Sequence, residues 1–380
     1  MGLGWIDDAA FALGTELSVD RVLREGVRTT VARCWVDGPT AASRGARTVV
    51  AKCFRSRAMA RNSGGFGLVR EWAGLRCVPG SPALLAADPE LGVVVMEDLG
   101  TAPTLADLLA GPDPDAALEG GYVWGRDTAV WLTASRRVVD DFQGLVRRAD
   151  PGTRSAGGPA SPRLPRRGAV RLAEVLGVES GVEEEVAQEV DRLDALAGVE
   201  GRRVVSQADP APDNLVMTGP GEGSEVVVRA LDLEAASYHH IAVDLAGLVS
   251  PWPASGLLAR MPDEFQAAVM TGFGTGLEGL VDLLDDPAMD RMVGLAVLSA
   301  ALQMTELTLE PLRRREDEGR FSGGRARLVS LWRRCGEQAV DAPVLAGLCA
   351  RAAERAVRDW GWPAQLPFYP CFSSLTGHEG

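Results

Sequence analysis

Near the middle of the chain of 380 residues stands the segment Asp209-Pro210-Ala211-Pro212-Asp213-Asn214. Each proline fixes its own φ angle and disfavours the helical conformation for the residue before it, so the backbone between Asp209 and Asn214 is expected to be extended. A carboxylate and an amide are then presented at the two ends of one short loop. The alternative is a purely structural, proline-rich turn in which the side chains of Asp and Asn only form hydrogen bonds with the backbone.

Two strands are predicted after this loop, over residues 214–217 and 225–231, and the glycine-rich turn 219–223 joins them as a hairpin. The hairpin brings Asp232 back beside Asp209 and Asn214. A carboxylate at the end of a buried apolar strand has to be paired or bound to a cation, and Mg²⁺ is a suitable one. Glu234 lies two residues further on. It is either a second metal ligand or a salt-bridge partner, and the sequence favours neither interpretation over the other.

Near residue 98 the predicted secondary structure changes from mostly strands to mostly helices. Before it, short strands are predicted over 21–23, 31–36, 48–54 and 92–96, with one helix over 67–78 and a further strand over 203–206 in the second half. After it, helices are predicted over 104–109, 130–146, 182–196 and most of 263–360, with a polar loop over 150–168. We therefore expect an α+β fold with an N-terminal lobe (1–98), a larger and mostly helical C-terminal lobe (99–362) and a tail (363–380) that packs as a strap or is loose.

Composition excludes several classes of function. The formal net charge is −13, which argues against nucleic acid as a partner because phosphate backbones need clustered positive charge. An acidic surface attracts a cationic substrate or merely aids solubility. The six cysteines form no C-x-x-C pair, so reduced thiols are expected. With no leader pattern and no long apolar run, we expect a cytoplasmic protein without a membrane partner, as a monomer or a homodimer.

Only one of the 39 basic residues is a lysine, and it ends the apolar run Val49-Val50-Ala51-Lys52. Such a bias indicates a position where an ammonium is needed and a guanidinium will not serve. A strand that ends in lysine is typical of proteins that transfer phosphoryl groups, where the ammonium pairs with the α- and β-phosphates of a nucleotide. Glu71, on the following predicted helix, is placed to hold Lys52 by an ion pair.

Phosphoryl transfer also needs a carboxylate near the attacking hydroxyl and oxygen ligands for the metal. The spacing from Asp209 to Asn214 matches the D-x-x-x-x-N of kinase catalytic loops. Asp209 is then the catalytic residue that accepts or orients the substrate hydroxyl. Asn214, Asp232 and Glu234 are the candidate Mg²⁺ ligands.

The chain resembles the aminoglycoside phosphotransferase and choline kinase superfamily from about residue 22 to 249. The resemblance rests on Met96-Glu97-Asp98-Leu99-Gly100, on Asp209 with Asn214, and on Asp232 with Asp244, all in the expected order. It implies a two-lobed, protein-kinase-like fold whose N-terminal lobe is an antiparallel sheet with one helix. It also implies ATP or GTP with Mg²⁺ in the cleft, a hinge over 95–99 that contacts the purine through Met96, Glu97 and Leu99, and a helical acceptor pocket. Asp244 would buttress the catalytic loop.

Two features depart from the family pattern. Gln207-Ala208-Asp209 stands where His-Gly-Asp is usual, although a glutamine side chain can still donate and accept hydrogen bonds. The phosphate-covering loop has one glycine, Gly26, followed by Thr29 and Thr30 as further candidate phosphate contacts.

Two other motifs are not assigned to the active site. Residues 63–67 resemble a phosphate loop but lack a following lysine, and we interpret them as the start of the helix that carries Glu71. The pair His239-His240 is interpreted as structural.

These residues predict an ATP-dependent O-phosphotransferase that moves the γ-phosphate to a hydroxyl of a small molecule. An antibiotic of the aminoglycoside, nucleoside or peptide type is the favoured acceptor, which would confer resistance. A cationic acceptor would meet acids such as Asp263, Glu264, Glu306 and Glu310, and Trp252 is a candidate stacking wall. The alternatives are a choline- or sugar-type metabolite kinase and a catalytically inactive, kinase-like binding protein. No segment ending in Ala-Pro-Glu follows Asp232, which disfavours a protein kinase.

Overall fold

The N-terminal lobe is a five-stranded antiparallel sheet flanked by two helices. This computed structural model describes residues 4–38, 40–55, 67–149, 163–178, 183–198, 202–219, 225–249, 259–314 and 323–373. The elements of the lobe are α1 (Trp5–Leu13), β1 (Leu17–Glu25), β2 (Thr29–Val36), β3 (Thr48–Phe54), α2 (Leu68–Cys77), β4 (Leu84–Asp88) and β5 (Val93–Glu97). The strand order is β1-β2-β3-β5-β4, so β3 lies at the centre of the sheet. The side chains of Val49, Ala51 and Val95 are fully buried there, as expected for β-branched and small residues in a central strand.

The larger lobe is mostly helical. Its helices are α3 (Leu105–Ala110), α4 (Pro114–Ser135), α5 (Val139–Ala149), α6 (Arg163–Leu176), α7 (Glu183–Arg192), α8 (Ala242–Val249), α9 (Asp263–Thr275), α10 (Val281–Leu284), α11 (Met289–Arg314), α12 (Gly324–Gln338) and α13 (Pro343–Trp360). Its strands are β6 (Arg203–Ser206), β7 (Leu215–Thr218), β8 (Val227–Ala230) and β9 (Ser237–His240). They form two separate antiparallel ladders, β6 with β9 and β7 with β8. The predicted α+β fold with a sheet lobe and a larger helical lobe is confirmed, while the boundaries at 98 and 362 stay predictions.

Several elements differ from the sequence-based expectation. The strand expected over 21–23 is the nine-residue β1, and α1, β4, α6, α8 and β9 were not predicted. The loop expected over 150–168 is wrong from Arg163 onward, where α6 begins. The helix expected over 130–146 is two helices, because α4 ends at Ser135 and a 3₁₀ turn over Arg136–Val138 leads into α5. The tail packs as far as residue 373, where Tyr369 and Phe372 are buried. The tip of the predicted hairpin (220–224), the segment 63–66 and Trp252 lie outside the described residues.

Helix α4 crosses α9 at glycines. A Cβ atom on Gly125 would lie 1.9 Å from the carbonyl oxygen of Val269, and one on Gly272 would lie 1.9 Å from the carbonyl oxygen of Tyr122. Glycine is therefore required at these positions, since neither helix backbone can move away cheaply. The close approach explains why α4 forms despite Gly120, Gly121 and Gly125, which lower its intrinsic helix propensity.

The long helix α11 lies in the core of the larger lobe. By length and composition it is the one described helix that could cross a membrane, with a mean hydropathy of 1.5 over its most apolar window. Within that window 61% of the residues are buried inside the protein. Leu298, Leu302 and Leu309 are fully buried and pack in one cluster with Trp332 of α12. Such burial is typical of the core helix of a globular lobe.

We predict that Gly125→Ala lowers the free energy of unfolding by about 3 kcal/mol, because the added methyl group overlaps a backbone carbonyl. The matched control is Gly144→Ala in α5, where a Cβ meets nothing within 4 Å. That control should raise stability by about 0.5–1 kcal/mol, since alanine is the better helix former. Urea denaturation followed by circular dichroism measures both. Equal effects of the two substitutions would contradict the close crossing.

Candidate active site

Lys52 joins three elements of the structure at one point. It lies in β3 opposite Val31 of β2 and Val94 of β5, and its side chain is buried. The ammonium Nζ donates to Glu71 Oε2 at 2.9 Å and to Asp232 Oδ1 at 2.5 Å. The first contact is the ion pair that the sequence predicts. The second contact crosses from the sheet lobe to the helical lobe, so one ammonium links both sides of the cleft.

The charge on this ammonium is maintained by its neighbours. Burial works against the charged form, but the carboxylates of Glu71, Asp232 and Glu234 outweigh it and raise the pKa of Lys52. Burial is also the first cause that raises the pKa of Glu71, from 4.5 to about 7, and the Lys52 ammonium opposes that rise. Glu71 is 1% exposed, so its ionised form depends on Lys52.

Helix α2 is held against the other lobe, which fixes the position of Glu71. Gly74 leaves room for the turn over Leu233–Ala235, because a Cβ on Gly74 would lie 2.7 Å from the Cβ of Leu233. Arg70 Nη1 donates to the carbonyl oxygen of Ala236 at 2.7 Å, and the amide of Gly67 donates to the carbonyl oxygen of Glu234 at 3.0 Å. The residues around Asp232 thereby support the helix that carries its partner.

Asp232 adopts a conformation that is uncommon for a residue with a side chain. Its φ of 58° and ψ of 64° lie in the left-handed region, directly after β8. Such strained positions persist only when the surroundings hold them, and they concentrate at functional sites. About a quarter of the Asp232 side chain is exposed, and Arg24 Nη1 lies 3.6 Å from Oδ2. Burial raises the pKa of the Asp232 carboxyl, but Lys52 and then Arg24 outweigh it, so the net pKa lies below the usual range.

Glu234 is a salt-bridge partner in this structure. Its carboxylate accepts a hydrogen bond from Arg28, which stands in the turn between β1 and β2. Arg24 and Arg28 therefore place two guanidiniums over the carboxylates of Asp232 and Glu234. Of the two interpretations that the sequence left equal, this geometry realises the ion pair, and metal ligation by Glu234 would require Arg28 to move.

The loop that carries Asp209 is held from both sides through one carbonyl group. Gln207 Nε2 donates to the carbonyl oxygen of Asp209 at 2.8 Å, and Asn214 Nδ2 donates to the same oxygen at 3.3 Å. Because the Asn214 amide nitrogen is used in this way, its side-chain oxygen points elsewhere and meets no donor among the described residues. Gln207 thus ties the loop where the family pattern has histidine. Ala208, at φ 57°, makes the sharp turn into Asp209.

The loop is less extended than the sequence suggested. A 3₁₀ turn spans Pro212–Asn214, with Asn214 N donating to the carbonyl oxygen of Ala211 at 2.8 Å. A proline is well tolerated at the first position of such a turn because its missing N–H has no partner to satisfy there. Strand β7 therefore begins at Leu215, one residue later than predicted, and Leu231 N donates to the carbonyl oxygen of Asn214 at 2.7 Å.

The carboxyl group of Asp209 is surrounded by other acids. Asp209 is an exposed residue. Partial burial of its carboxyl group, followed by repulsion from Asp232 and Asp213, nevertheless raises its pKa from 3.8 to about 6. The Arg327 guanidinium acts in the opposite direction. A carboxyl group with this pKa can exchange a proton near neutral pH, which is the property that a catalytic base needs.

A buried polar network supports the loop from below. His239 is fully buried, and its Nε2 lies 2.9 Å from Asp244 Oδ2 and 3.3 Å from Ser206 Oγ. Ser206 Oγ in turn accepts from the amide of Ala208 at 3.1 Å, and Ser237 Oγ lies 3.0 Å from His239 Nδ1. Both ring nitrogens are used within the protein, as expected for a structural histidine. The network runs from Asp244 to the turn before Asp209 and so supports that turn from the protein interior.

The predicted hinge connects β5 to the helical lobe. Met96 pairs with Val50 of β3, and its side chain is buried in the core of the sheet lobe. Glu97 Oε2 accepts from the amide of Ala83 at 2.9 Å and from Arg229 Nη2 at 2.8 Å, so this carboxylate is occupied. Leu99 is half-buried in the connection that follows. A purine contact by these residues would use their backbone groups or the Leu99 side chain.

The turn between β1 and β2 stands over the cleft without a glycine-rich loop. Gly26 N donates to the carbonyl oxygen of Thr29 at 2.9 Å and closes the turn. Thr30 Oγ1 accepts from Arg55 Nε at 3.0 Å, so its hydroxyl is already engaged. Thr29 is buried at the start of β2. Arg28 of this turn and Arg24 of the preceding strand β1 therefore reach the site more directly than the hydroxyl groups of the turn do.

Most acids that were considered for a cationic acceptor are occupied or solvated. Glu306 binds Arg167 and Arg171 between α11 and α6, and Glu310 binds Arg314 within α11. Asp263 and Glu264 are exposed in the first turn of α9. The sequence analysis missed Arg24, Arg28 and Arg327. With 38 arginines in the chain (39 basic residues less Lys52), no pattern separates these three from the rest.

Replacing Lys52 by methionine should destabilise the protein in a pH-dependent way. The buried Glu71 then loses its cation, and its pKa in the folded state rises further above the ordinary 4.5. Below pH 4.5 Glu71 is protonated in both states, so the additional loss is small. Above pH 7 the parent's Glu71 ionises in the folded state while that of the variant stays protonated, so the loss relative to the parent should grow by about 1 kcal/mol per pH unit. Chemical denaturation from pH 5 to 8 measures it.

The control for this prediction is the double variant Lys52→Met with Glu71→Gln, which removes the buried acid together with its cation. Its stability loss relative to the parent should be independent of pH over the same range, because no carboxyl group is left to titrate in that pocket. A Lys52→Met variant that loses the same free energy at pH 5 and at pH 8 would contradict the assignment.

Comparisons with known proteins identify similar structures but no similar sequence. No protein-family model matches the chain, and no curated protein is significantly similar to it. Among solved structures, it is similar to macrolide 2′-phosphotransferase MphH from Brachybacterium faecium, at 15% identity and a TM-score of 0.47, over 86% of this chain and 96% of that one. It is also similar to choline kinase LicA from Streptococcus pneumoniae, at 16% identity and a TM-score of 0.46, over 90% and 98%. A third is the streptomycin–ATP complex of APH(2″)-IIa, at 10% identity and a TM-score of 0.48, over 90% and 98%.

Proposed function

We propose that this chain is a small-molecule kinase, an ATP-dependent O-phosphotransferase that moves the γ-phosphate of a nucleotide to a hydroxyl group. The observation that carries the proposal is the contact of one buried ammonium with two carboxylates from different lobes, Lys52 with Glu71 and Asp232. Burying the charges of Lys52 and Glu71 is unfavourable unless they are paired, and the partly exposed Asp232 adds a second carboxylate to the same ammonium. An ammonium held at the base of a cleft is the group that phosphoryl transfer requires.

The donor atoms in the cleft fit a hard cation such as Mg²⁺. Asp232 offers a partly exposed carboxylate, and Asn214 offers an amide oxygen without a partner among the described residues. Within that part of the chain no group of three or more His, Cys, Asp or Glu side chains is arranged to hold a metal, so Asp232 and Asn214 would share the ion with phosphate and water oxygens. When bound, magnesium and the nucleotide supply the phosphoryl group and the charge that offsets its developing negative charge.

The residues of the chain would then have separate tasks. Lys52 donates to phosphate oxygens while Glu71 holds its ammonium in place. Arg24 at the end of β1 and Arg28 in the turn that follows supply further positive charge, where a glycine-rich loop would offer backbone amides instead. Backbone groups of Met96, Glu97 and Leu99 are proposed to contact the purine of ATP or GTP. Asp209 accepts the proton of the acceptor hydroxyl, so that its oxygen can attack the γ-phosphorus.

Two classes of small molecule are proposed as the acceptor. An antibiotic of the aminoglycoside, nucleoside or peptide type, with a role in resistance, is one proposal. A choline- or sugar-type metabolite is the other. A catalytically inactive binding protein is the rival from a different class, and the occupied carboxylate of Glu234 is the observation in its favour.

The proposal predicts that Asp209→Asn lowers phosphoryl transfer by about a hundred- to ten-thousand-fold, because an amide cannot accept the hydroxyl proton. Nucleotide affinity should stay within about threefold of the parent, since Lys52 and the hinge are untouched. The experiment uses γ-labelled ATP, Mg²⁺ and a panel of antibiotics, aminoalcohols and sugars. ATP binding is measured separately by calorimetry. If no label reaches any acceptor and the parent and Asp209→Asn consume ATP at the same rate, the kinase proposal is wrong.

The pH dependence of the reaction should follow the pKa of Asp209. Only the ionised carboxylate accepts a proton, so kcat/KM should fall as the pH drops below about 6, the raised value for this group. The repulsion from Asp213 contributes to that rise, and Asp213 lies on the exposed side of the loop. Asp213→Asn should therefore move the acid limb of the profile to lower pH. An acid limb that is identical in parent and variant would contradict this account.

A further inference from the structure

A cavity of about 690 Å³ lies beside the start of α5, and none of the residues assigned to phosphoryl transfer is among the described residues that line it. This volume is in the range of sites that hold a small molecule. Its walls are mostly charged and polar side chains, from the end of α4, the 3₁₀ turn that follows, α5 and the start of β6: Thr133, Arg136, Arg137, Asp140, Gln143 and Arg203.

The cavity is separated from the catalytic loop by the length of β6. Arg203 begins this strand, and Ser206 ends it before the turn that leads to Asp209. At about 3.3 Å per residue, a strand of this length places Arg203 about 10 Å from Ser206. The cavity therefore lies at the end of β6 that is farther from Asp209, and it is a different place from the candidate active site.

Arg136 forms a fixed part of the cavity wall. Its Nη1 donates to the carbonyl oxygen of Gly279 at 3.0 Å and to Asp282 Oδ1 at 3.1 Å, and its Nη2 donates to Asp282 Oδ2 at 3.0 Å. Two parallel hydrogen bonds to one carboxylate fix the plane of a guanidinium. Because Asp282 balances its charge, Arg136 shapes the wall and leaves the excess positive charge to the other two arginines.

Arg203 and Arg137 keep donors that the described part of the chain does not use. Arg203 Nε donates to the carbonyl oxygen of Gly198 at 2.9 Å, and its guanidinium carbon lies 5.2 Å from the centre of the Tyr238 ring. These contacts hold the side chain in place, while neither Nη atom has an acceptor among the described residues. Arg137 is exposed and forms no hydrogen bond or ion pair with any of them.

The charge of this cavity is opposite to that of the whole chain. Three of its eight described lining residues are arginines and one, Asp140, is an acid. In the whole sequence, acids outnumber basic residues by 52 to 39. With Arg136 balanced by Asp282, the charges of Arg137 and Arg203 still exceed that of Asp140. A concave surface with this balance attracts anions.

We propose that this cavity is a second binding site, for a hydrophilic small molecule that carries a phosphate or carboxylate group. Arg137 and Arg203 hold the anion, since a guanidinium can give either group two parallel N–H bonds. The side-chain oxygens of Thr133 and Gln143 can accept hydrogen bonds from hydroxyl groups of the same molecule. Val139 is the one apolar side chain among the described lining residues, so a sugar phosphate or a hydroxy acid fits better than a nucleobase or a lipid chain. The proposal does not depend on the kinase proposal.

The test measures binding of glucose 6-phosphate, citrate and uncharged glucose to the full chain by isothermal titration calorimetry. Mg²⁺ and a non-hydrolysable ATP analogue are present throughout, so that the candidate active site is occupied if it binds nucleotide. The variants are Arg137→Gln, Arg203→Gln, Arg203→Lys and Asp140→Asn. The matched control is Arg148→Gln, which removes an exposed arginine of α5 that does not line the cavity. A second control, Arg28→Gln, reports binding of the anion in the cleft between the lobes.

Glucose 6-phosphate, citrate or both should bind, and glucose should not. Arg137→Gln and Arg203→Gln should each weaken that binding by about five- to tenfold, and Arg203→Lys should restore part of it. Asp140→Asn should strengthen binding by about two- to fivefold, because it removes the acid that repels the anion.

The two control variants should change the affinity less than twofold. No binding of either anion at about 10 mM overturns the proposal, as does an equal loss in Arg148→Gln or Arg28→Gln, or weaker binding in Asp140→Asn. If Arg203→Gln does not fold, the exposed substitutions Arg137→Gln and Asp140→Asn decide, since their opposite effects cannot both arise from a loss of structure.

Discussion

The contact of Lys52 with Glu71 and Asp232 is the constraint on which the rest of the structure depends. It ties the central strand of the sheet to α2 and to the end of β8, which belong to different lobes. Each partner is then fixed by its own support: α2 by Gly74 and Arg70 against residues 233–236, and Asp232 by a left-handed backbone. Because a buried charge without a counter-charge is strongly unfavourable, these contacts hold the two lobes together at this point.

Much of the fold was predictable because the pattern of apolar residues along the sequence indicates which segments are buried. Strand β5 is a continuous apolar run up to Glu97, and β2 and β3 are mostly apolar. The structure has all three strands close to where the sequence predicts them. The failures have physical causes. Helix α4 carries glycines that lower helix propensity; its crossing with α9 explains Gly121 and Gly125, and close packing against α3 explains Gly120. Strand β9 contains polar Ser237, His239 and His240, and the burial of His239 depends on a network with Asp244, five residues further on, and with Ser206, which lies 33 residues away.

The candidate site was predictable where chemistry restricts residue type, and less so where it does not. A single lysine stands out from 39 basic residues, and Asp209 with Asn214 has a recognisable spacing. The structure brings Lys52, Glu71 and Asp232 into contact and joins Asn214 to the backbone of Asp209. Arg24, Arg28 and Arg327 were hidden by the abundance of arginine, since their importance comes from long-range position alone. The ion pair of Glu234 could not be predicted from motif spacing, because its partner Arg28 lies 206 residues away in the sequence.

The two guanidiniums over the cleft have a consequence for the order in which ligands enter. Arg24 and Arg28 already balance the charges of Asp232 and Glu234. A bare divalent ion would have to displace them and leave two cations facing a third, with no anion to receive them. An ion that arrives together with a triphosphate brings that anion, and the arginines can transfer to it as the carboxylates turn to the metal. If the chain is a kinase as proposed, charge balance alone would favour joint entry of metal and nucleotide over entry of the metal on its own.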